Sequence, residues 1–124
     1  MSKLILVIDD DVSLTSMLEH MLKIKGYQVA QAHDGKSGLQ AVKKQKPNLI
    51  LLDVNMPGMN GMELLHKLKT ETQTMKTPII MLTASNDPNC MSESMGDLAD
   101  KFISKPFDMH YLMSEIEKTL ALQI

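Results

Sequence analysis

Asp9, Asp10 and Asp11 directly follow the apolar run Leu4-Ile5-Leu6-Val7-Ile8, and Asp53 directly follows a second run, Leu49-Ile50-Leu51-Leu52. Each run has the length and composition of a buried strand, and each ends in a carboxylate. In a parallel α/β sheet the carboxyl ends of the strands share one edge, and ligands bind there. If the first and third strands are neighbours, several carboxylates crowd into a small volume. Like charges that close raise each other's pKa or demand a cation. The cation that best matches one or two carboxylates plus a phosphate is Mg²⁺. The residues therefore point to phosphoryl chemistry.

Two further polar groups fall at strand ends. Thr83 follows Ile79-Ile80-Met81-Leu82, and Lys105 follows Phe102-Ile103-Ser104. With Asp9, Asp10 and Asp53 they make a set of parts. The set has carboxylates for a metal, a carboxylate that can form a covalent phosphoryl intermediate, a hydroxyl donor, and a cation to stabilise a transferring phosphoryl group.

Five strand signals alternate with five helical ones. Strand one is expected over Lys3–Ile8. A helix follows from Val12 to about Lys25, with Leu14, Met17, Leu18 and Met21 at helical spacing on its inner face. Gly26 ends it as a left-handed residue. Tyr27–Ala32 is strand two, His33-Asp34-Gly35 a turn, Lys36–Gln45 a helix that Pro47 closes, and Leu49–Leu52 strand three. The loop Asn55–Gly61 leads to a helix from Met62 to about Glu71, with Leu64, Leu65 and Leu68 inward. Ile79–Leu82 is strand four, and a weak helix is expected roughly over Cys90–Met95 before Gly96. Phe102–Ser104 is strand five, and Asp108 caps a last helix that buries Leu112, Ile116 and Leu120. Such alternation means a doubly wound α/β fold. Right-handed crossovers limit the topologies, and the expected one is a flavodoxin-like five-stranded parallel sheet of order 2-1-3-4-5 with five helices, which sets strands one and three side by side.

The 124 residues fit one domain, 1–124, able to fold without disulfide or structural metal. Aromatics are only 3% and Trp is absent, so the core must be aliphatic, and twelve Met residues help to fill it. The net charge is −2 and every basic residue is Lys. Direct nucleic-acid reading, which favours Arg, is not expected. The single cysteine, Cys90, excludes an internal disulfide and fits a reducing, cytoplasmic setting. No signal peptide or membrane span is legible.

Over essentially its whole length the chain resembles a response-regulator receiver domain of two-component signalling. The resemblance rests on Val7-Ile8-Asp9-Asp10-Asp11, on Leu51-Leu52-Asp53-Val54-Asn55-Met56-Pro57 with Gly61, on Thr83-Ala84, and on Lys105-Pro106-Phe107. It implies a phosphorylation switch, with only its own acyl-phosphate chemistry and no metabolic reaction. Asp53 would accept a phosphoryl group from a phosphohistidine on a sensor histidine kinase or histidine phosphotransfer protein. Asp10, Asp53 and the Asn55 carbonyl would hold Mg²⁺ directly, and Asp9 through water. Lys105 would pair with Asp53 at rest, and Thr83 would move to the phosphoryl group. Phe102 would turn into the space Thr83 leaves. The Lys105-Pro106 bond would be cis. A downstream effector protein would read the face running from strand four to helix five. Before strand five, Leu98 stands where the family usually has a turn glycine.

Simpler readings compete at each position. Asp11 reads as a helix cap. Thr83 alone could bond nearby backbone, and Phe102 reads equally as a switch or as core. The four His residues lack metal-ligand spacing, Cys90 reads as inert, and Met56, Met59 and Met62 as packing. Lys43, Lys44 and Lys46 read as a solvated face. Three other functions fit less well. Asp9-Asp10-Asp11-Val12-Ser13 matches the Asp-x-Asp-x-Thr/Ser pattern of dehalogenase-type phosphatases, with Asp9 as nucleophile, but that assigns Asp53 nothing. A phosphate-independent binding module would have no use for the whole set. An FMN site would meet an acidic first loop.

Overall fold

The computed structural model describes residues 2–54, 56, 58, 60–84 and 99–122. Five strands, β1 (Leu4–Ile8), β2 (Gln28–Ala32), β3 (Leu49–Asp53), β4 (Ile79–Ala84) and β5 (Lys101–Lys105), form one sheet in the order β2-β1-β3-β4-β5. All four pairings are parallel, as expected. Among the described residues there are four helices: α1 (Val12–Ile24), α2 (Gly35–Gln45), α3 (Gly61–Thr70) and α4 (Met109–Ala121). The fifth expected helix, near Cys90, lies outside the described residues, as do Asn55, Met59 and Leu98.

The two-residue period of the strands divides the core. Leu6, Ile8, Ile50, Leu52, Ile79 and Met81 face α2 and α3, where Val42, Leu64, Leu65 and Leu68 close over them. Ile5, Val7, Leu49, Leu51, Ile80 and Leu82 face α1 and α4, meeting Leu18, Leu22, Leu112, Ile116 and Leu120. Strands covered on both faces need unbroken apolar runs, which is why β1 and β3 do not alternate in polarity. Each such fully buried Leu or Ile contributes about 1.5–3 kcal/mol relative to exposure.

Caps set where the helices begin. The side chains of Asp11, Asp34, Asn60 and Asp108 accept from the backbone N–H groups of Leu14, Ser37, Glu63 and His110. The Ser37 bonds hold the Asp34 carboxyl below its ordinary pKa. Gly26, at φ 97°, ends α1 as anticipated. Its N–H reaches the Lys23 carbonyl at 3.0 Å, and the Tyr27 N–H reaches that of Leu22 at 3.1 Å, a complete Schellman closure.

One face assignment is corrected. Met17, expected inward, is 45% exposed. The buried stripe of α1 is Thr15, Leu18 and Leu22, with Leu14 and Met21 only flanking it. The buried Thr15 explains the shift. Its hydroxyl donates to the Val12 carbonyl and meets His33 Nε2 at 3.1 Å, so a polar residue can occupy the inward position.

Candidate phosphoacceptor site

Strand alternation assembles the site. Asp9 continues the phase of Ile5 and Val7, Asp53 that of Leu49 and Leu51, and Lys105 that of Ile103, all toward the α1 and α4 side. The register pairs Ile8 with Leu52 and Asp53 with Leu82, so Asp9 and Asp53 end adjacent strands at one level. Carboxylate oxygens of Asp9, Asp10 and Asp53 all lie within 4.8 Å of one another. Asp9 is 0% and Asp53 3% exposed, whereas Asp10 faces solvent.

Lys105 provides the local countercharge. Its Nζ donates to Asp9 Oδ2 at 2.7 Å and to Asp53 Oδ1 at 3.3 Å. The resemblance implies a pairing with Asp53; here the shorter bond goes to Asp9. Burial pulls the Lys105 pKa down, but the Asp9 hydrogen bond and the charges of Asp53 and Asp9 outweigh it and hold the ammonium above its ordinary value. The other oxygen of Asp9 accepts the Asp11 N–H at 2.9 Å, so both Asp9 oxygens are engaged. The Lys105-Pro106 bond is cis, as the resemblance implies.

Thr83 keeps the phase of Ile79 and Met81, on the other face of the sheet. It is buried, and its hydroxyl has no hydrogen-bond partner among the described residues. Phe102 pairs in register with Met81 and packs half-buried in the α2 and α3 core, one strand from Thr83. A buried hydroxyl without a partner costs about 1–3 kcal/mol. Thr83→Val keeps the shape and removes the hydroxyl, so it should stabilise the resting protein by about 1 kcal/mol. Urea midpoints measure this, and a lower midpoint would mean the hydroxyl is already satisfied.

Three local contacts escaped the sequence reading. Asn60, placed in a loop, caps α3, and the Asn60-x-x-Glu63 spacing was the available signal. Gly61 brings α3 against β3, its N–H donating to the Val54 carbonyl at 2.8 Å. Asp100 ties the β4 and β5 starts together. Its carboxylate accepts from the Ile79 N–H at 2.8 Å and from Lys69 Nζ at 3.2 Å. Met56 is core, as read. His33 is satisfied, as read, because Nε2 also meets Gln31 Oε1 at 3.1 Å.

A buried acceptor-type carboxylate, two more acids and a lysine at the carboxyl edge of a doubly wound parallel sheet define a module that takes up a phosphoryl group. Comparison with known proteins makes this specific. The family model for the response regulator receiver domain matches residues 5–117. The DNA-binding response regulator MtrA of Mycobacterium tuberculosis is 38% identical over 120 residues, covering 97% of this chain and 51% of that protein. The chain thus spans about half the length of such relatives. Among solved structures, the chemotaxis protein CheY4 of Vibrio cholerae superposes with a TM-score of 0.87 at 32% identity, covering 96% of this chain and 99% of that one. The response regulator TrrA of Thermotoga maritima, in complex with Mg²⁺ and BeF, superposes with a TM-score of 0.85 at 28% identity, covering 94% and 98%. The chain belongs to the response regulator receiver domain family, the phosphoacceptor switches of two-component systems. No helix among the described residues is long and apolar enough to cross a membrane.

Proposed function

We propose that Asp53 is the phosphoacceptor and that Mg²⁺ is held beside it by Asp53, Asp10 and the Asn55 carbonyl, with Asp9 acting through water. Asn55 lies outside the described residues. The donor set fits the ion, being all oxygen, with solvent access at Asp10 for the waters Mg²⁺ keeps. When bound, the ion offsets charge on the phosphoryl oxygens. In the transfer, an Asp53 carboxylate oxygen forms the new bond to phosphorus. The bond from phosphorus to the donor imidazole nitrogen breaks, and its electron pair stays with the imidazole. The donor is a sensor histidine kinase or a histidine phosphotransfer protein.

Lys105 holds the incoming charge, and the Thr83 hydroxyl, without a partner among the described residues, finds an acceptor in the phosphoryl group. Movement of Thr83 leaves space for Phe102, its near neighbour on the same face. A downstream effector reads the resulting change on the face from β4 to α4. The domain itself carries out only its own phosphorylation and dephosphorylation, makes no direct nucleic-acid contact, and works in the cytoplasm.

The observation that carries the choice of Asp53 is its place at the end of β3, 3% exposed, with a carboxylate oxygen within 4.8 Å of those of Asp9 and Asp10 and Oδ1 3.3 Å from Lys105 Nζ. The phosphatase alternative, with Asp9 as nucleophile, gives the buried Asp53 no role. The test is Mg²⁺-dependent labelling by acetyl phosphate. The wild type and Asp9→Asn should label, and Asp53→Asn should not. Labelling of Asp53→Asn at the wild-type level removes the assignment.

A further inference from the structure

At the opposite edge of the sheet, where the strands begin, two cavities adjoin. The larger, about 330 Å³, is lined by Val42, Lys43, Lys46, Pro47, Gln73 and Thr77 among others. The smaller, about 220 Å³, is lined by Lys3, Pro47, Lys76, Thr77 and Pro78 among others. Pro47 and Thr77 belong to both, so the two form one groove. Its floor is apolar, since Val42, Pro47 and Pro78 are buried, and its rim carries lysines. Lys43 meets Glu71 at 3.5 Å. Lys3, Lys46 and Lys76 make no ion pair or side-chain hydrogen bond among the described residues. Lys23, Lys69, Lys101, Lys105 and Lys118 each meet a carboxylate, while Lys25, Lys36, Lys44 and Lys67 are unpaired as well among the described residues but line neither cavity. Lys46 is moreover held at φ 50°, a left-handed conformation that disfavours a lysine. Three lysines without a carboxylate partner thus rim one groove at the edge opposite the acidic site, in a chain of net charge −2.

The chemistry of the rim selects the ligand. A compact dianion such as phosphate favours converging N–H groups at a helix N-terminus or the fork of an Arg. Here α2 delivers its C-terminal, partially negative end to the groove, and the chain has no Arg. Stacking residues for nucleic-acid bases are also absent from the lining. Single negative charges along an extended chain, each meeting one ammonium, suit a groove rimmed by several lysines. Their methylene stems suit the Val and Pro floor.

We propose that this groove binds an extended acidic polypeptide segment of a partner protein, with Lys3, Lys46 and Lys76 pairing its carboxylates. The segment would hold the domain from behind and leave the Asp53 edge open, so binding and phosphorylation are compatible. The inference goes beyond the phosphoacceptor reading and does not depend on it.

Fluorescence anisotropy of a fluorescein-labelled, Glu-rich decapeptide tests it, with the intact chain at low and then rising NaCl. Wild-type binding should weaken with salt. Lys46→Gln with Lys76→Gln should weaken it about tenfold. The control pair Lys36→Gln with Lys67→Gln makes the same charge change elsewhere and should change it less than about twofold. Beryllofluoride binding should be the same in all three proteins, which separates this test from that of Asp53. Equal weakening by both pairs would mean that bulk charge alone is at work, and it overturns the site. So does failure of the wild type to bind at all. A single-stranded oligothymidylate that binds as tightly through the same two lysines overturns the assignment to a polypeptide.

Discussion

Lys105→Ala should lower the melting temperature by on the order of 10 °C in EDTA, and saturating Mg²⁺ should restore most of that loss. Lys105 Nζ lies 2.7 Å from Asp9 Oδ2, and Asp9 is wholly buried. Removing the lysine leaves that oxygen without its donor and takes the cation from between two carboxylates. Breaking a buried pair by deleting one partner costs about 3–5 kcal/mol. The lower end applies here, because the lysine side chain is 21% exposed and water can follow it in. The same deletion removes a competitor. On the proposed reading the ammonium and Mg²⁺ draw on the same carboxylates, the metal on Asp53 directly and on Asp9 through water. Without the ammonium, Mg²⁺ should bind more tightly. At a hundred times its Kd, Mg²⁺ stabilises by about 2.7 kcal/mol, nearly the whole deficit. Acetyl-phosphate labelling should nevertheless fall if, as proposed, Lys105 also holds the phosphoryl charge. Thermal melts of both proteins across a Mg²⁺ series decide the matter. If Mg²⁺ raises the melting temperature no more in the variant than in the wild type, Lys105 and the metal do not share these carboxylates.

The same ion pair fixes a pH dependence. The folded ammonium keeps its proton above its ordinary value, through Asp9 and Asp53 and against the opposing effect of burial. Its contribution is therefore whole below the unfolded lysine pKa of ~10.4 and is lost as the pH rises through the folded value. Urea midpoints should show an added alkaline decline in the wild type that is missing in Lys105→Ala.

How much of this was legible in the sequence depends on the distance over which each signal acts. The strands β1 and β3 were plain because burial on both faces forces unbroken apolar runs, and their terminal carboxylates violate that pattern visibly. Once the strand order is granted, Asp9, Asp53 and Lys105 must share an edge, and alternation puts them on one face. The α1 stripe was misjudged because composition favours Met17 over Thr15. One of the two hydrogen bonds that let Thr15 enter the core, to the Val12 carbonyl, is local, but the other is to His33, just beyond β2, and no local pattern reveals that. The choice Lys105 makes between Asp9 and Asp53 is likewise a matter of tenths of an ångström, below anything spacing can encode. Asn60 was different. Its cap was legible, but the Pro and Gly content of residues 55–61 drew the reading toward a loop.

Gly61→Ala should cost about 3 kcal/mol and disturb Asp53 itself, at the top of the usual range for added atoms in packed sites. A Cβ on Gly61 would overlap the Asp53 carbonyl oxygen and lie 2.7 Å from Val54 Cα and 2.9 Å from the Asp53 carbonyl carbon. All three obstacles are backbone atoms of the strand end that carries Asp53. No rotamer change relieves them, so either α3 withdraws or the end of β3 bends. Withdrawal stretches the bond from the Gly61 N–H to the Val54 carbonyl and pulls the Asn60 cap off its register. Bending shifts Asp53 relative to Asp9 and Lys105. Gly38→Ala is the natural comparison, since a Cβ there meets only the Ile8 side chain, at 2.8 Å from Cδ1 and 3.0 Å from Cγ2. The Cδ1 methyl can rotate away, so Gly38→Ala should cost clearly less and leave beryllofluoride affinity near the wild-type value. Gly61→Ala should lose stability and beryllofluoride affinity together. Equal melting temperatures and equal affinities for the two variants would mean that the contact between α3 and β3 is compliant and that Gly61 does not set the position of Asp53.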